Sequence, residues 1–327
     1  MTLNCAILDD YQQIALSMAD WRALDGKVRV ESFADPTGTG AQAQQRLRDY
    51  DIIVAMRERT VFDAALLEQL PKLKLLITTG MHNASIDTEA AARLGIIVAG
   101  TGGVVGPAAE IAWALLMALV RHIPAEAANF RASGERWQLS VGRGLAGKTL
   151  GVVGLGKLGK LVAGYGRAFG MEVAGWSRSN TPERSAALGI GFSPSLDDLL
   201  SRSDVVSLHL TLTPETAGII GARELGLMKK DALLINTSRG PLVDEPALIA
   251  ALEGGKIGGA GLDVFDREPL PADHPFRGLA NVVATPHLGY VTEETYRVFY
   301  RDALEDISAW LAGNPVRQLN TTEKARR

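Results

Sequence analysis

One run of residues limits what this chain can fold into more than any other: Lys148-Thr-Leu-Gly-Val-Val-Gly154-Leu-Gly156-Lys157-Leu158-Gly159-Lys-Leu-Val. It reads as an apolar strand over 150–153, a tight turn, and a helix over 158–169. The chain holds 35 glycines, so G-x-G-x-x-G spacing alone says little. The strand before it and the helix after it give the spacing its meaning. Gly154 permits the turn, Gly156 lets a pyrophosphate approach the backbone, and Gly159 lets helix and strand pack closely. A helix opening at Lys157 and Leu158 adds unpaired N–H donors and a partial positive charge. The turn is therefore expected to cradle a dinucleotide.

The next strand, over 172–176, bears on which dinucleotide. A carboxylate about 20 residues past the glycines would take the ribose 2′-hydroxyl of NAD. This chain has Ser177-Arg178-Ser179-Asn180 there, with no carboxylate and one guanidinium able to pair with a 2′-phosphate. NADP is favoured over NAD on that charge argument. Stacking of Arg178 on adenine, or plain solvation, is the alternative.

A length of 327 residues suits two domains, each with its own core. Over the first hundred residues, apolar runs at 5–8, 28–33, 52–55, 73–78 and 96–99 alternate with helical stretches at 41–49, 63–70 and 87–93. A helix over 107–122 follows. The second cycle carries about six strands, at 150–153, 172–176, 205–208, 232–235, 259–262 and 282–284. Helices at 158–169, 196–200 and 245–253 lie between them. Alternation of this kind predicts parallel α/β sheets. The expected architecture is α/β and two-lobed: a Rossmann doubly wound parallel sheet over 101–290, and a flavodoxin-like α/β substrate lobe over 1–100 and 291–327. The terminal helix over 293–312 has no strand after it and is expected to return to the first lobe.

Charge narrows the partners. Lys plus Arg is 34 against Asp plus Glu 37, a net of -3, which argues against nucleic-acid binding through bulk charge. Cys5, the lone cysteine, forms no internal disulfide or thiolate metal site, and no metal is expected. The N-terminus lacks a basic region and meets Asp9 and Asp10 early, unlike a signal peptide. The apolar stretch over 104–120 contains Pro107 and Glu110 and is short of the ~20 residues that cross a bilayer. The reading is a cytoplasmic protein without a membrane partner.

Five histidines are candidates for proton transfer. His122 reads as a helix end and His274 as a loop residue, while His82 and His209 lie at strand ends. His287 falls in Thr285-Pro-His287-Leu-Gly289, just past an apolar strand, where ligands bind in open α/β sheets. Arg239 follows the strand over 232–235, and Glu268 follows the strand over 259–262.

These segments, in this order, resemble the D-isomer-specific 2-hydroxyacid dehydrogenase family, which includes phosphoglycerate dehydrogenases and glyoxylate/hydroxypyruvate reductases. The resemblance rests on Gly154–Gly159, His209-Leu-Thr211-Leu-Thr-Pro-Glu-Thr216, Asn236-Thr237-Ser-Arg239-Gly240, Gly261-Leu-Asp263-Val-Phe265 through Glu268-Pro269, and Thr285–Gly289. It covers almost the whole chain. It implies a catalytic triad of Arg239, Glu268 and His287. It further implies a small 2-keto or 2-hydroxy acid as substrate, and NADP or NAD along Ser177, Arg178, His209, Thr211, Thr216, Thr237, Asp263 and Gly289. Substrate would be met by Arg57, Met81, His82 and Arg239. The physics suits those roles. An imidazole near its ordinary pKa of about 6.5 can give a proton to a developing alkoxide. A neighbouring carboxylate favours the imidazolium, and a guanidinium clamps a carboxylate in two-pronged fashion.

Two departures stand out. Thr211 replaces a usual proline, and Gly80-Met81-His82-Asn83 replaces a Gly-x-Gly-like carboxylate loop. The resemblance also implies a homodimer through residues 107–143, in which Trp113, Phe130 and Trp137 serve either subunit contact or core packing. Relatives on the same fold include dinucleotide-sensing co-repressors and formate- or phosphite-type dehydrogenases.

Overall fold

In a computed structural model that describes residues 2–320, the chain divides into two units, Met1–Val104 with Thr292–Arg327, and Val105–Val291. Residues 321–327, which fall within the lobe expected over 291–327, lie outside the described residues.

The first unit has five parallel strands, β1 (Leu3–Ile7), β2 (Val28–Ser32), β3 (Ile52–Ala55), β4 (Leu75–Thr78) and β5 (Ile97–Gly100), in the order β2-β1-β3-β4-β5. That is the flavodoxin-like order. Strands β3 and β4 are buried at every position, as strands covered on both faces must be. Between them run α1 (Ala41–Leu47), α2 (Ala64–Leu67) and α3 (Thr88–Arg93). Asp63 and Asp87 cap the last two by accepting the N–H groups of Leu66 and Ala90. The helix expected over 63–70 is thus only Ala64–Leu67, because the chain turns away to bury Leu70 and Leu73 in the core.

The second unit opens with α4 (Gly106–Val120), whose Ala109, Ala112, Leu116 and Leu119 lie buried on one face. The expected helix over 107–122 stops short. His122 takes a left-handed φ of 52°, and a separate α5 (Ile123–Arg131) follows at a bend of 68°. His122 therefore joins two helices and does not close one. No single helix among the described residues is long and apolar enough to cross a membrane.

The sheet of this unit comprises β6 (Thr149–Val153), β7 (Glu172–Trp176), β8 (Gly191–Phe192), β9 (Val205–Leu208), β10 (Leu233–Asn236), β11 (Gly259–Leu262) and β12 (Val282–Ala284). Its order is β12-β11-β10-β9-β6-β7-β8, all parallel. This is a doubly wound sheet whose direction reverses between β6 and β9. It holds seven strands where the sequence suggested about six. The extra strand, β8, has two residues, too few for any periodicity to register. Its helices are α6 (Lys157–Ala168), α7 (Pro182–Ala187), α8 (Leu196–Arg202), α9 (Ala222–Leu227) and α10 (Glu245–Glu253).

The terminal helix α11 (Glu293–Leu311) belongs to the first unit and buries Tyr296, Phe299, Tyr300 and Ile307. Beyond it, the Leu319 N–H bonds to the Val98 carbonyl at 2.8 Å, laying the chain end along β5.

Candidate active site

The strand register brings distant residues to one edge. Val153 of β6 pairs with Leu208 of β9, Leu208 with Asn236 of β10, Asn236 with Leu262 of β11, and Leu262 with Ala284 of β12. This row forms the carboxyl edge of the sheet, with neighbouring strands about 4.8 Å apart. The glycine turn, His209, Arg239, Glu268 and His287 all lie just beyond it.

At the turn, Gly154 has a φ of +96°, and a Cβ there would come within 2.4 Å of the His209 carbonyl oxygen. At Gly159 a Cβ would meet the Gly154 oxygen at 1.9 Å. Gly156 is different, since a Cβ there would meet nothing within 4 Å. Gly156 is also the N-cap of α6 and offers no side chain to its first N–H groups. Open space in front of uncapped helix donors fits a pyrophosphate. Lys157 is exposed at this mouth, whereas Leu158 is half-buried and packs against the core beneath.

At the end of β7, Ser177 is half-buried and Arg178 exposed. The Asn180 amide nitrogen is engaged below them, donating to the Gly175 carbonyl at 3.1 Å and the Ser185 hydroxyl at 2.8 Å. Glu215, unremarked in the sequence, sits close enough to Arg178 to feel its charge. The Thr213 hydroxyl first, then Glu215's own backbone N–H, hold the Glu215 carboxyl below its ordinary range, with Arg178 adding a smaller pull. On the facing loop, the Thr216 hydroxyl donates to the Thr211 carbonyl at 2.7 Å and accepts the Thr213 N–H at 2.8 Å. These two bonds shape the loop that carries Thr211. The His209 Nε2 lies 2.8 Å from the Ser207 hydroxyl, and burial pushes its imidazole down to about 4. His209 is a neutral group near pH 7.

Arg239 stands on a rigid segment. The Asn236 amide donates to its carbonyl at 2.8 Å and accepts the Ser238 N–H at 3.1 Å, and the Ser238 hydroxyl ties back to Leu208 at 2.7 Å. Thr237, next to these, is buried.

His287 is placed by Asp263. One Asp263 oxygen accepts the Thr285 hydroxyl at 2.6 Å and the Leu288 N–H at 2.7 Å, and the other accepts the Gly289 N–H at 2.8 Å. Burial pushes the Asp263 carboxyl up, while these donors and the nearby His287 charge work against burial. Three bonds to one side chain shape the segment 285–289 and hold His287 at a φ of 55°, a conformation side chains seldom adopt. The structure thus gives Asp263 a role in holding the turn that carries His287. Nothing in the local sequence announced it, because its partners lie 22 to 26 residues away.

The imidazole Nδ1 of His287 meets Glu268 Oε2 at 2.7 Å, and Glu268 Oε1 accepts the Phe265 N–H at 3.0 Å. Burial works to raise the Glu268 carboxyl, but the His287 bond and charge, the Phe265 N–H and the charge of Arg239 outweigh it. Its pKa ends below the ordinary value. Tyr290 lies edge-on to the His287 ring at 5.4 Å. Two residues of the expected triad, His287 and Glu268, are thus in contact, and Arg239 lies near enough for its charge to act on Glu268. With Nδ1 engaged by a carboxylate, Nε2 is the ring atom left for proton transfer.

In the first unit, Arg57 has a φ of 51°, and its N–H donates to the Thr79 hydroxyl at 2.9 Å. A Cβ on Gly80 would come within 2.1 Å of Arg57 Nη1, so the guanidinium lies over that glycine. Asn83 ties the loop together, donating to the Arg57 carbonyl at 2.6 Å and the Thr78 hydroxyl at 2.8 Å. Met81 and His82 are exposed on the same loop. Arg57, Met81 and His82 are accordingly brought together.

Residues 113–289 match the family model described as D-isomer specific 2-hydroxyacid dehydrogenase, NAD binding domain. A glyoxylate reductase from Aeropyrum pernix is 44% identical over 260 residues, covering 77% of this chain and 77% of that protein. A D-3-phosphoglycerate dehydrogenase from Mycobacterium tuberculosis is 44% identical over 260 residues, covering 79% of this chain and 49% of that longer protein. The crystal structure of a phosphoglycerate oxidoreductase from Vibrio cholerae superposes with a TM-score of 0.91 at 34% identity, covering 95% of this chain and all of that one.

Proposed function

The chain belongs to the D-isomer specific 2-hydroxyacid dehydrogenase family, and on that premise we propose that it interconverts a small 2-keto acid and its D-2-hydroxy acid with NAD(P)H. The observation that carries this reading is the 2.7 Å contact of His287 with Glu268, in a group whose carboxylate also feels Arg239. When bound, the nicotinamide supplies or takes the hydride at the 2-carbon.

The remaining work falls to side chains. Arg239 takes the substrate carboxylate and polarises the carbonyl, which a planar two-pronged donor does better than an ammonium. His287 Nε2 gives a proton to the oxygen as it becomes an alkoxide, and takes one back in the reverse direction. Glu268 favours the charged imidazole and fixes its orientation through Nδ1. On the first unit, Arg57, Met81 and His82 are the substrate-binding candidates that the family resemblance offers.

Gly154, Gly156, Lys157, Leu158 and Gly159 would hold the pyrophosphate. Ser177, Arg178, His209, Thr211, Thr216, Thr237, Asp263 and Gly289 would line the rest of the cofactor. The absence of a carboxylate over 177–180, with Arg178 exposed at that point, supports NADP over NAD.

Two aromatic side chains support a homodimer. Phe130 is 70% and Trp137 81% exposed, with their rings 6.1 Å apart, whereas Trp113 is half-buried against the core, with its ring on Phe169 at 4.8 Å. Exposed apolar pairs of this kind mark contact surfaces. Sedimentation of the wild type and of Trp137→Ser tests it, with a dimer expected to become a monomer.

The decisive experiment follows oxidation of NADPH and NADH against glyoxylate, hydroxypyruvate, phenylpyruvate and pyruvate. Turnover of at least one acid is expected. Cofactor binding without turnover of any would replace the enzyme reading with a dinucleotide-sensing one.

A further inference from the structure

Glu268 is carried on residues 266–277, which leave β11 and close in a 3-10 turn over Pro275–Arg277. A segment without strand or helix holds a side chain in place only if other elements brace it. Some of its bonds are internal: Arg277 donates to the carbonyls of Pro271 at 2.8 Å and Leu270 at 2.7 Å. These give the segment shape but do not fix it to anything.

His274 does fix it. Its Nε2 lies 3.0 Å from Glu245 Oε1, with the side chains only 13% and 20% exposed. Its Nδ1 accepts the Phe276 N–H at 3.3 Å, capping the 3-10 turn. An Nδ1 that accepts carries no hydrogen, so the neutral ring has its hydrogen on Nε2 and donates it to Glu245. The ring also packs on Phe276 at 4.9 Å, and Phe276 on Phe265 at 6.3 Å.

Glu245 opens α10, where the helix end favours an anion. It lies on the same stretch of chain as Arg239, which leaves β10, passes a short turn over Gly240–Leu242 and enters α10. That stretch meets the Glu268 segment a second time at Gly240, where a Cβ would come within 2.1 Å of the Phe265 carbonyl carbon. The two stretches are thus clamped at both ends, by backbone contact at Gly240 and by the His274–Glu245 bond.

We propose that His274 and Glu245 are a positioning pair: their bond fixes the Glu268 segment against the Arg239 segment and so keeps the Glu268 carboxylate on His287. The catalytic meaning of that carboxylate rests on the function proposed above, but the bond's effect on His287 does not.

The test reads both. The 15N signal of the His287 imidazole, assigned by its loss in His287→Asn, is recorded in wild type, His274→Ala, Glu245→Ala and Glu245→Gln. The two alanine variants are expected to move it toward its position in Glu268→Gln, while Glu245→Gln, whose amide oxygen still accepts from Nε2, stays near wild type. In parallel, kcat for a 2-keto acid is expected to fall about tenfold in the alanine variants with cofactor affinity unchanged, the size usual for a lost supporting bond. His274→Asn serves if His274→Ala misfolds, since asparagine can still cap the turn but is too short to reach Glu245. A wild-type His287 signal in folded His274→Asn or Glu245→Ala would overturn the proposal. If the wild type reduces no 2-keto acid while the signal still moves, the positioning pair stands and the functional reading falls.

Discussion

Asp263 Oδ2 accepts the Gly289 N–H at 2.8 Å, closing from the far side the same turn whose near side presents His287 to Glu268. A fully buried carboxylate and a glycine thus shape the turn that carries the imidazole. The consequence is that the site has two supports, Asp263 for His287 and Glu245 through His274 for Glu268.

Replacing His287 by Asn removes the proton donor and leaves the glycine turn intact. The expected outcome is a fall in kcat of about a hundredfold to ten-thousandfold. Cofactor affinity, read by tryptophan fluorescence, should stay within a factor of about two, since no interaction at the turn is lost. A variant with near wild-type kcat would remove His287 from the proton-transfer role.

Glu268→Gln removes the charge that favours an imidazolium, so the limb of the pH–rate profile set by the proton donor should move to lower pH. Stability should respond too. The Glu268 carboxyl in the folded chain sits below its ordinary value, so its contribution is present above the ordinary carboxylate range and is lost as pH falls through the lowered value. Wild type and Glu268→Gln should therefore differ in denaturation midpoint near neutrality and converge in acid. A gap that widens on acidification would contradict this.

Asp263→Asn keeps the shape of the side chain but turns one acceptor into a donor facing another N–H or hydroxyl donor. The cost should be about 1–3 kcal/mol of stability, the penalty for a buried donor left unpaired. Turnover should fall with it, because residues 285–289 lose the bonds that hold His287 at its positive φ. Urea denaturation and kcat measured on the same preparation check both.

Arg178→Ala should raise KM for NADPH about tenfold or more, equivalent to one charge-assisted contact, and change KM for NADH little. Glu215→Gln should act weakly in the opposite sense, because it removes a negative charge that lies within reach of Arg178. Equal effects of Arg178→Ala on both cofactors would return that residue to stacking or solvation.

The sequence by itself determined the local pieces of this protein. Apolar runs marked nearly every strand, the helical stretches from 63, 87 and 245 were legible in outline, and the glycine spacing pointed to a turn with an open helix end. Those features depend on neighbours within a few residues, so they can be read along the chain. Only the tertiary structure decided the rest. The order β12-β11-β10-β9-β6 brings Arg239, Glu268 and His287 to one edge of the sheet, and bonds across 22 to 29 residues assign Asp263, Glu245 and His274 their work. It also supplied β8, whose two residues pair with β7 through backbone bonds that no side-chain pattern encodes. Strand order and long-range hydrogen bonds follow from which buried faces and donors find partners in space, and that choice leaves no period in the sequence.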